Sequence, residues 1–374
     1  MEKILSKQLG KHFKGDIIIW SIVLGLSILS ILVVYSATQT IAYKQMEGDA
    51  SVYLFRHARL VVLALVVMWI AHRIDYRYYA RVSMIALYIS VPLLIYAMFF
   101  GVRINEASRW ITIPFINQTF QPSDLAKLAL ITHLATMLSR KQQDIENIQQ
   151  TILPMLGWVS VICALIGYSN FSNAMMLFFT CMLVMFIGRV PVRYFMILVL
   201  VGSISIGAAL TFGQRGRTAM NRIEAFLNAD KQGFQMEQSY VAIAGGGITG
   251  KGPGQSDQRN YLPYPFSDFI YAIVVEEYGM IGAAVVLFMY LALLYRGMII
   301  MARSNRAFGG ILSAGLAFSL VVQAMTHMCV TVGLVPTTGL PLPLLSMGGT
   351  SLLFTGISLG VILSISRGDI VEEN

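Results

Sequence analysis

Ten apolar runs organise the chain. They lie at approximately 16–37, 58–73, 80–100, 123–139, 151–168, 172–188, 192–212, 268–296, 308–334 and 347–366. A helix needs roughly 20 apolar residues to cross the hydrocarbon of a bilayer, and each run predicts one such helix. The fifth and sixth runs are parted by only a few polar residues, which predicts a tight helical hairpin. The predicted fold is all-α: a polytopic membrane protein of about ten transmembrane helices. It forms a single membrane domain over 1–374, with an N-terminal tail over 1–15, a large loop over 213–267 and a C-terminal tail over 367–374.

Flanking charge orients the helices. With the N-terminus inside, the short inner loops and tails hold fifteen Lys and Arg, and the short outer loops hold five (Lys44, Arg56, Arg59, Arg103 and Arg109). Positive charge is retained on the cytoplasmic side. Both termini are therefore predicted cytoplasmic, and the loop 213–267 extracytoplasmic. The N-terminal lysines followed by an apolar run mimic a signal peptide, but Ile17 to Tyr35 exceeds the 7–15 residues of such an apolar core. This run is expected to stay as the first span.

Composition agrees. Hydrophobic residues make up 56% of the 374 and charged residues 12%, about half the share of a soluble domain. The net charge of +8 sits between apolar runs. There it reads as topology and contact with anionic membrane lipid, not as nucleic-acid binding. Cys163, Cys181 and Cys329 lie within apolar runs as small core residues, and the five histidines show no ligand spacing. No metal site is read from either. A divalent cation held by carboxylates together with a pyrophosphate stays compatible with the chain.

Polar residues next to apolar runs carry the chemistry of a membrane protein. Gln121-Pro122-Ser123-Asp124 starts a helix, and Lys127 follows Asp124 on the same face. Arg109 and Lys127 either present cations to an anionic head group or complete a capped helix with a snorkelling lysine. In the long loop, Gly245-Gly246-Gly247 and Gly250-Lys251-Gly252-Pro253-Gly254 resemble a phosphate loop, but GxxxxGK[ST] is absent. These glycines admit close approach of either backbone or substrate. Asp268 ends the loop. From its position alone it is equally a helix cap and a general base. Glu276 and Glu277 lie two turns deeper, where at least one must face the bundle interior and pair. Pro336, Pro341 and Pro343 forbid a regular helix and predict a re-entrant or cavity-lining stretch.

Taken in order, Arg109-Trp110-Ile111, Gln121-Pro122-Ser123-Asp124, Gln238 to Gly247, Gly250 to Gly254, Asp268-Phe269-Ile270, Glu276-Glu277-Tyr278-Gly279, Pro336 to Pro343 and Ser346 to Ser351 resemble the SEDS family of FtsW, RodA and SpoVE over nearly the whole chain. The Gly-Pro-Gly run and the proline segment are more like FtsW, the division member. The resemblance implies a peptidoglycan glycosyltransferase that polymerises lipid II, a polyprenyl-pyrophosphate disaccharide-peptide, at the outer face of the bacterial cytoplasmic membrane. It implies the septum as the location, and a class B penicillin-binding protein and other division proteins as partners. Asp268 matches the family's essential aspartate and is the expected base. Arg109, Lys127, Arg215 and Arg217 are the expected pyrophosphate clamps, with Mg2+ or Mn2+ as an optional aid. Lys251 and Ser346 join them as substrate-binding candidates. Asp124, Glu276, Glu277 and the three prolines are the structural candidates. The chain departs from the family at Asp124 (usually Glu), at Ser169 to Asn173 (usually Pro-Asp-Leu-Gly-Thr) and at Met347 (usually Tyr). A flippase and a non-catalytic scaffold for a transpeptidase are the competing expectations.

Overall fold

The computed structural model describes residues 14–45, 51–104, 107–113, 118–212, 216–228, 233–262 and 264–372. Each apolar run coincides, within a few residues, with a helix: α1 Ile17–Gln45, α2 Ser51–Arg73, α3 Tyr76–Phe100, α4 Pro122–Arg140, α5 Leu153–Ser169, α6 Phe171–Ile187, α7 Arg193–Phe212, α10 Ile270–Arg303, α11 Ala307–Thr331 and α12 Thr350–Glu372. The hairpin between α5 and α6 turns on Asn170 alone, whose side chain accepts from Asn173 N at the start of α6. Among the described residues, seven helices are long and apolar enough to cross a membrane, and α6 is a shorter apolar helix. Large apolar side chains stand exposed along them, Ile85, Met196, Leu200 and Phe288 each by more than half. That is the surface of a protein whose solvent is lipid.

Two features depart from the sequence reading. The loop 213–267 is largely structured, with α8 Gly216–Leu227 and α9 Phe234–Gly246 inside it. The second departure is a three-stranded antiparallel sheet between α3 and α4, made of β1 Val102–Ile104, β2 Ala107–Ile113 and β3 Gln118–Phe120. β1 and β3, of three residues each, are too short to show alternation. Among the described residues the regular structure is thus helical apart from this small sheet.

The turns sort into two ends. At one end Asp16 caps α1 and pairs with Arg296, Arg367 reaches Arg73 O, Ser364 reaches Ile74 O, and Tyr76 stacks on Phe308. Arg73, Arg296 and Arg367 meet there. The sheet, the α8–α9 region and residues 332–349 lie at the other end, where the polar motifs meet.

α10 is two helices joined at a break. Gly279 has φ 66° and ψ −166°, a conformation reserved for glycine. The glycine-rich loop fills the break: Lys251 N donates to Glu276 O, Gly252 N to Glu277 O, Met280 N to Gly247 O and Ile281 N to Ile248 O. A Cβ on Gly250 would overlap Glu277 O, and one on Gly279 would overlap Ile248 O. Of the two uses open to these glycines, backbone packed on backbone is the one found.

Candidate functional site

A cavity of about 380 Å3 opens at the end that carries the polar motifs. Its walls come from the top of α2, the sheet, the start of α4, the α5–α6 turn, α8, the Asp268 loop and the proline segment. Four cations line it (Arg56, Arg109, Lys127 and Arg222), with two carboxylates, Asp124 and Asp268. Lys127 Nζ lies 2.9 Å from Asp124 Oδ1, both side chains being almost buried. The i,i+3 spacing at a proline-started helix places that pair on the inner face.

Asp268 is not a helix cap. The cap residue of α10 is Phe269, and it makes no side-chain cap bond. The Asp268 carboxylate accepts from Ser267 Oγ at 3.2 Å and lies on the cavity wall. With no capping role, the carboxylate faces the cavity.

The other expected residues divide. Arg109, Lys127, Asp124 and Pro341 line the cavity with Asp268. Arg215 lies outside the described residues. Arg217 is exposed on α8 and not on the cavity wall; a little over one turn further, Arg222 is. Lys251 also stands away from the cavity. Its ammonium lies 2.7 Å from Glu276 Oε1 and 2.9 Å from Asp257 Oδ2. Those bonds, Glu276 first, hold it above the ordinary lysine range, and the same ammonium holds Asp257 below the carboxylate range. Ser346 is buried, accepts from Leu342 N and donates to Ser267 O at 2.8 Å. It secures the backbone next to Asp268, so its hydroxyl is committed within the protein. Glu276 and Glu277 are both buried, as the cost of exposing charge to lipid requires. Glu276 accepts from Lys251, Ser256, Asp257 N and Gln258 N, and Glu277 from Ser36. Pro336 lines a neighbouring groove, and Pro343 O accepts from the Tyr290 hydroxyl.

That groove, about 660 Å3, is apolar. Phe171, Met175, Met176 and Phe179 of α6, Ile223 of α8 and Val322, Met325 and Cys329 of α11 face it. Asn170 and Arg222 line both groove and cavity. Arg222 reaches across to Thr337 O at 3.1 Å. A molecule with an anionic head and a long apolar tail fits such a pair of spaces.

Several of these residues escape a reading of the sequence. Arg56 enters there only as a charge to be counted, because the second helix begins seven residues earlier than its apolar run. Gln323 and His327 are legible as polar residues four apart inside an apolar run, the pattern that marks intramembrane function or packing.

For a divalent cation, no three acidic, histidine or cysteine side chains converge among the described residues. One carboxylate oxygen on the cavity wall, Asp124 Oδ2, is buried without a hydrogen-bond partner among them. That donor set suits a cation shared with pyrophosphate oxygens, whose chemistry would be to screen phosphate charge; it does not make a closed protein cage.

A polytopic helical bundle with a cation-lined cavity and an adjoining apolar groove is the class that fold and site define. The chain belongs to the cell cycle protein family of FtsW, RodA and SpoVE, whose profile matches residues 16–369. The probable peptidoglycan glycosyltransferase FtsW of Geobacter sulfurreducens is 32% identical over 360 residues, covering 94% of this chain and 95% of that protein. Stage V sporulation protein E of Bacillus subtilis is 32% identical over 366 residues, covering 96% and 98%. The crystal structure of Thermus thermophilus RodA superposes with a TM-score of 0.69 at 24% identity, covering 94% of this chain and 97% of that one. A chain of a peptidoglycan synthase complex superposes at 0.75 with 22% identity, covering 95% and 98%. These two establish the shared fold.

Proposed function

We propose that this chain is a peptidoglycan glycosyltransferase that polymerises lipid II at the outer face of the bacterial cytoplasmic membrane, in septal wall synthesis. One observation carries the reading. Asp268 stands on the wall of a cavity with two more cations than carboxylates, and that cavity shares Arg222 and Asn170 with an apolar groove. The surplus of two positive charges matches the two negative charges of a pyrophosphate diester. The groove accepts the polyprenyl tail from the membrane side. The names of the relatives at 32% identity support the activity and favour the division role.

The chemistry follows from the parts. The acceptor sugar's 4-hydroxyl is a weak nucleophile, and Asp268 takes its proton as it attacks the anomeric carbon of the donor. Such base catalysis contributes typically about 10²–10⁴-fold. Direct displacement inverts the α-linked donor to a β-linked product. Pyrophosphate leaves as a stabilised anion, so no acid is required. Arg56, Arg109, Lys127 and Arg222 sit where its growing charge needs fixed cations, and preorganised charge of this kind usually contributes more to catalysis than any other single effect. The fold shared with a chain of a complex that coordinates polymerisation and crosslinking supports a transpeptidase partner, expected to be a class B penicillin-binding protein.

The test is reconstitution of the purified chain with that partner and lipid II in liposomes. Glycan strands are the expected product. Lipid II that crosses the bilayer with no glycan formed would support a flippase and contradict the proposal.

A further inference from the structure

The proline-rich stretch 336–346, mostly buried from Leu340 onwards, lacks helix or strand, and its prolines have no N–H to donate. Five of its carbonyls are taken by side chains from elsewhere, that of Thr337 by Arg222. His327 Nδ1 lies 2.8 Å from Leu340 O, and Gln323 Nε2 donates to Pro341 O at 2.8 Å. The Tyr290 hydroxyl donates to Pro343 O, and Ser30 Oγ to Leu345 O at 2.9 Å. A carbonyl only accepts, so His327 carries its proton on Nδ1; its Nε2 is buried with no hydrogen-bond partner among the described residues.

The His327 and Gln323 bonds bear on the site. Residues 323 and 327 lie one turn apart on α11 and grip two consecutive residues, Leu340 and Pro341, both on the cavity wall with Asp268. Gly339, immediately before them, has φ 66°, and a Cβ there would stand 3.9 Å from Asp268 Oδ2. The far end of the stretch is sewn to the residues before Asp268: Ser346 Oγ donates to Ser267 O at 2.8 Å and Met347 N to Phe266 O at 2.9 Å. The stretch is therefore a strap between α11 and the Asp268 loop.

We propose that His327 and Gln323 are positioning residues: they fix the 339–341 backbone opposite Asp268 and so set the gap in which the acceptor hydroxyl meets the carboxylate. This rests on Asp268 as the base. His327 acts through the strap; Gln323 also lines the cavity, and its amide N–H donates to Pro341 O. A misplacement of about 1 Å costs on the order of 10²-fold in rate, which is the scale of effect expected when a grip is lost.

The experiment measures kcat and KM for lipid II polymerisation by the full chain with its partner, together with thermal unfolding. His327→Leu removes the donor. His327→Asn keeps an N–H donor at the δ position, and Gln323→Met keeps length without the donor. The expected result is a fall in kcat of about 10–100-fold for His327→Leu, with KM near wild type and most of the rate restored in His327→Asn. Gln323→Met should fall in kcat in the same way. Wild-type kcat in His327→Leu, or an Asn variant no better than Leu, would overturn the proposal. If His327→Leu does not fold, wild-type kcat in Gln323→Met overturns it. Asp268→Asn, run beside these, separates the two claims. Full activity there removes the base itself, whereas an inactive Asp268→Asn with an unimpaired His327→Leu removes only the positioning role.

Discussion

Gly279 and Gly339 are single residues on which the geometry of the site depends. Each has φ 66°, where an L-residue costs roughly 1–3 kcal/mol in backbone energy alone. At Gly279 a Cβ would also overlap Ile248 O, so Gly279→Ala should lower the melting temperature and the yield of folded protein. At Gly339 the nearest atom to a Cβ is an Asp268 carboxylate oxygen. Gly339→Ala should therefore lose polymerisation rate beyond what its smaller loss of melting temperature explains. Equal losses in both variants would contradict this distinction. Asp268 shows how far the sequence reaches at this scale. Its place at a loop–helix junction leaves cap and base equally open, and the cap on Phe269 removes the first of these without testing the second. Ser346 and Lys251 are legible as polar residues in suggestive motifs. Their actual partners, Ser267 O and Glu276, lie 79 and 25 residues away in the chain, a separation that no local pattern encodes.

Among the elements, α10 depends on a partner from outside the helix. Its break at Gly279 leaves backbone groups that the loop 247–252 satisfies, and Lys251 closes the junction onto buried Glu276. Removing one partner of a buried hydrogen-bonded charge leaves the other uncompensated. Lys251→Met should destabilise by about 1–2 kcal/mol, with catalysis by the folded fraction unchanged. The pH dependence has a definite sign. The raised Lys251 contributes stability that is full below its ordinary value near 10.5 and is lost as pH rises through the folded one. The lowered Asp257 contributes above its ordinary value near 3.8, and this is lost as pH falls through the folded one. The difference in melting temperature between wild type and Lys251→Met should thus stay constant from about pH 5 to about pH 9 and shrink outside that window. Variation across neutral pH would contradict the account. The ten helices themselves are readable from apolar runs because burial in lipid demands them. The sheet, α8 and α9 are not: short strands and short helices in a polar loop have no long apolar run to announce them.

At the scale of the whole molecule, the polar cavity and the apolar groove adjoin at Asn170 and Arg222, so that α6, α8 and α11 lie beside the Asp268 loop. Ala219 on α8 lines the groove but not the cavity. Ala219→Trp should fill the tail space and raise KM for full-length lipid II by about tenfold, the effect of roughly 1.4 kcal/mol of lost binding. It should leave KM for a short-chain analogue near wild type; an equal rise for both substrates would place the tail elsewhere. The central claim, that Asp268 removes a proton from the acceptor hydroxyl of a bound lipid-linked sugar, is tested most directly with Asp268→Asn. Lipid II binding and glycan polymerisation are measured on the same purified preparation. The account predicts binding close to wild type, with polymerisation lower by about 10²-fold or more. Polymerisation at the wild-type rate would contradict it.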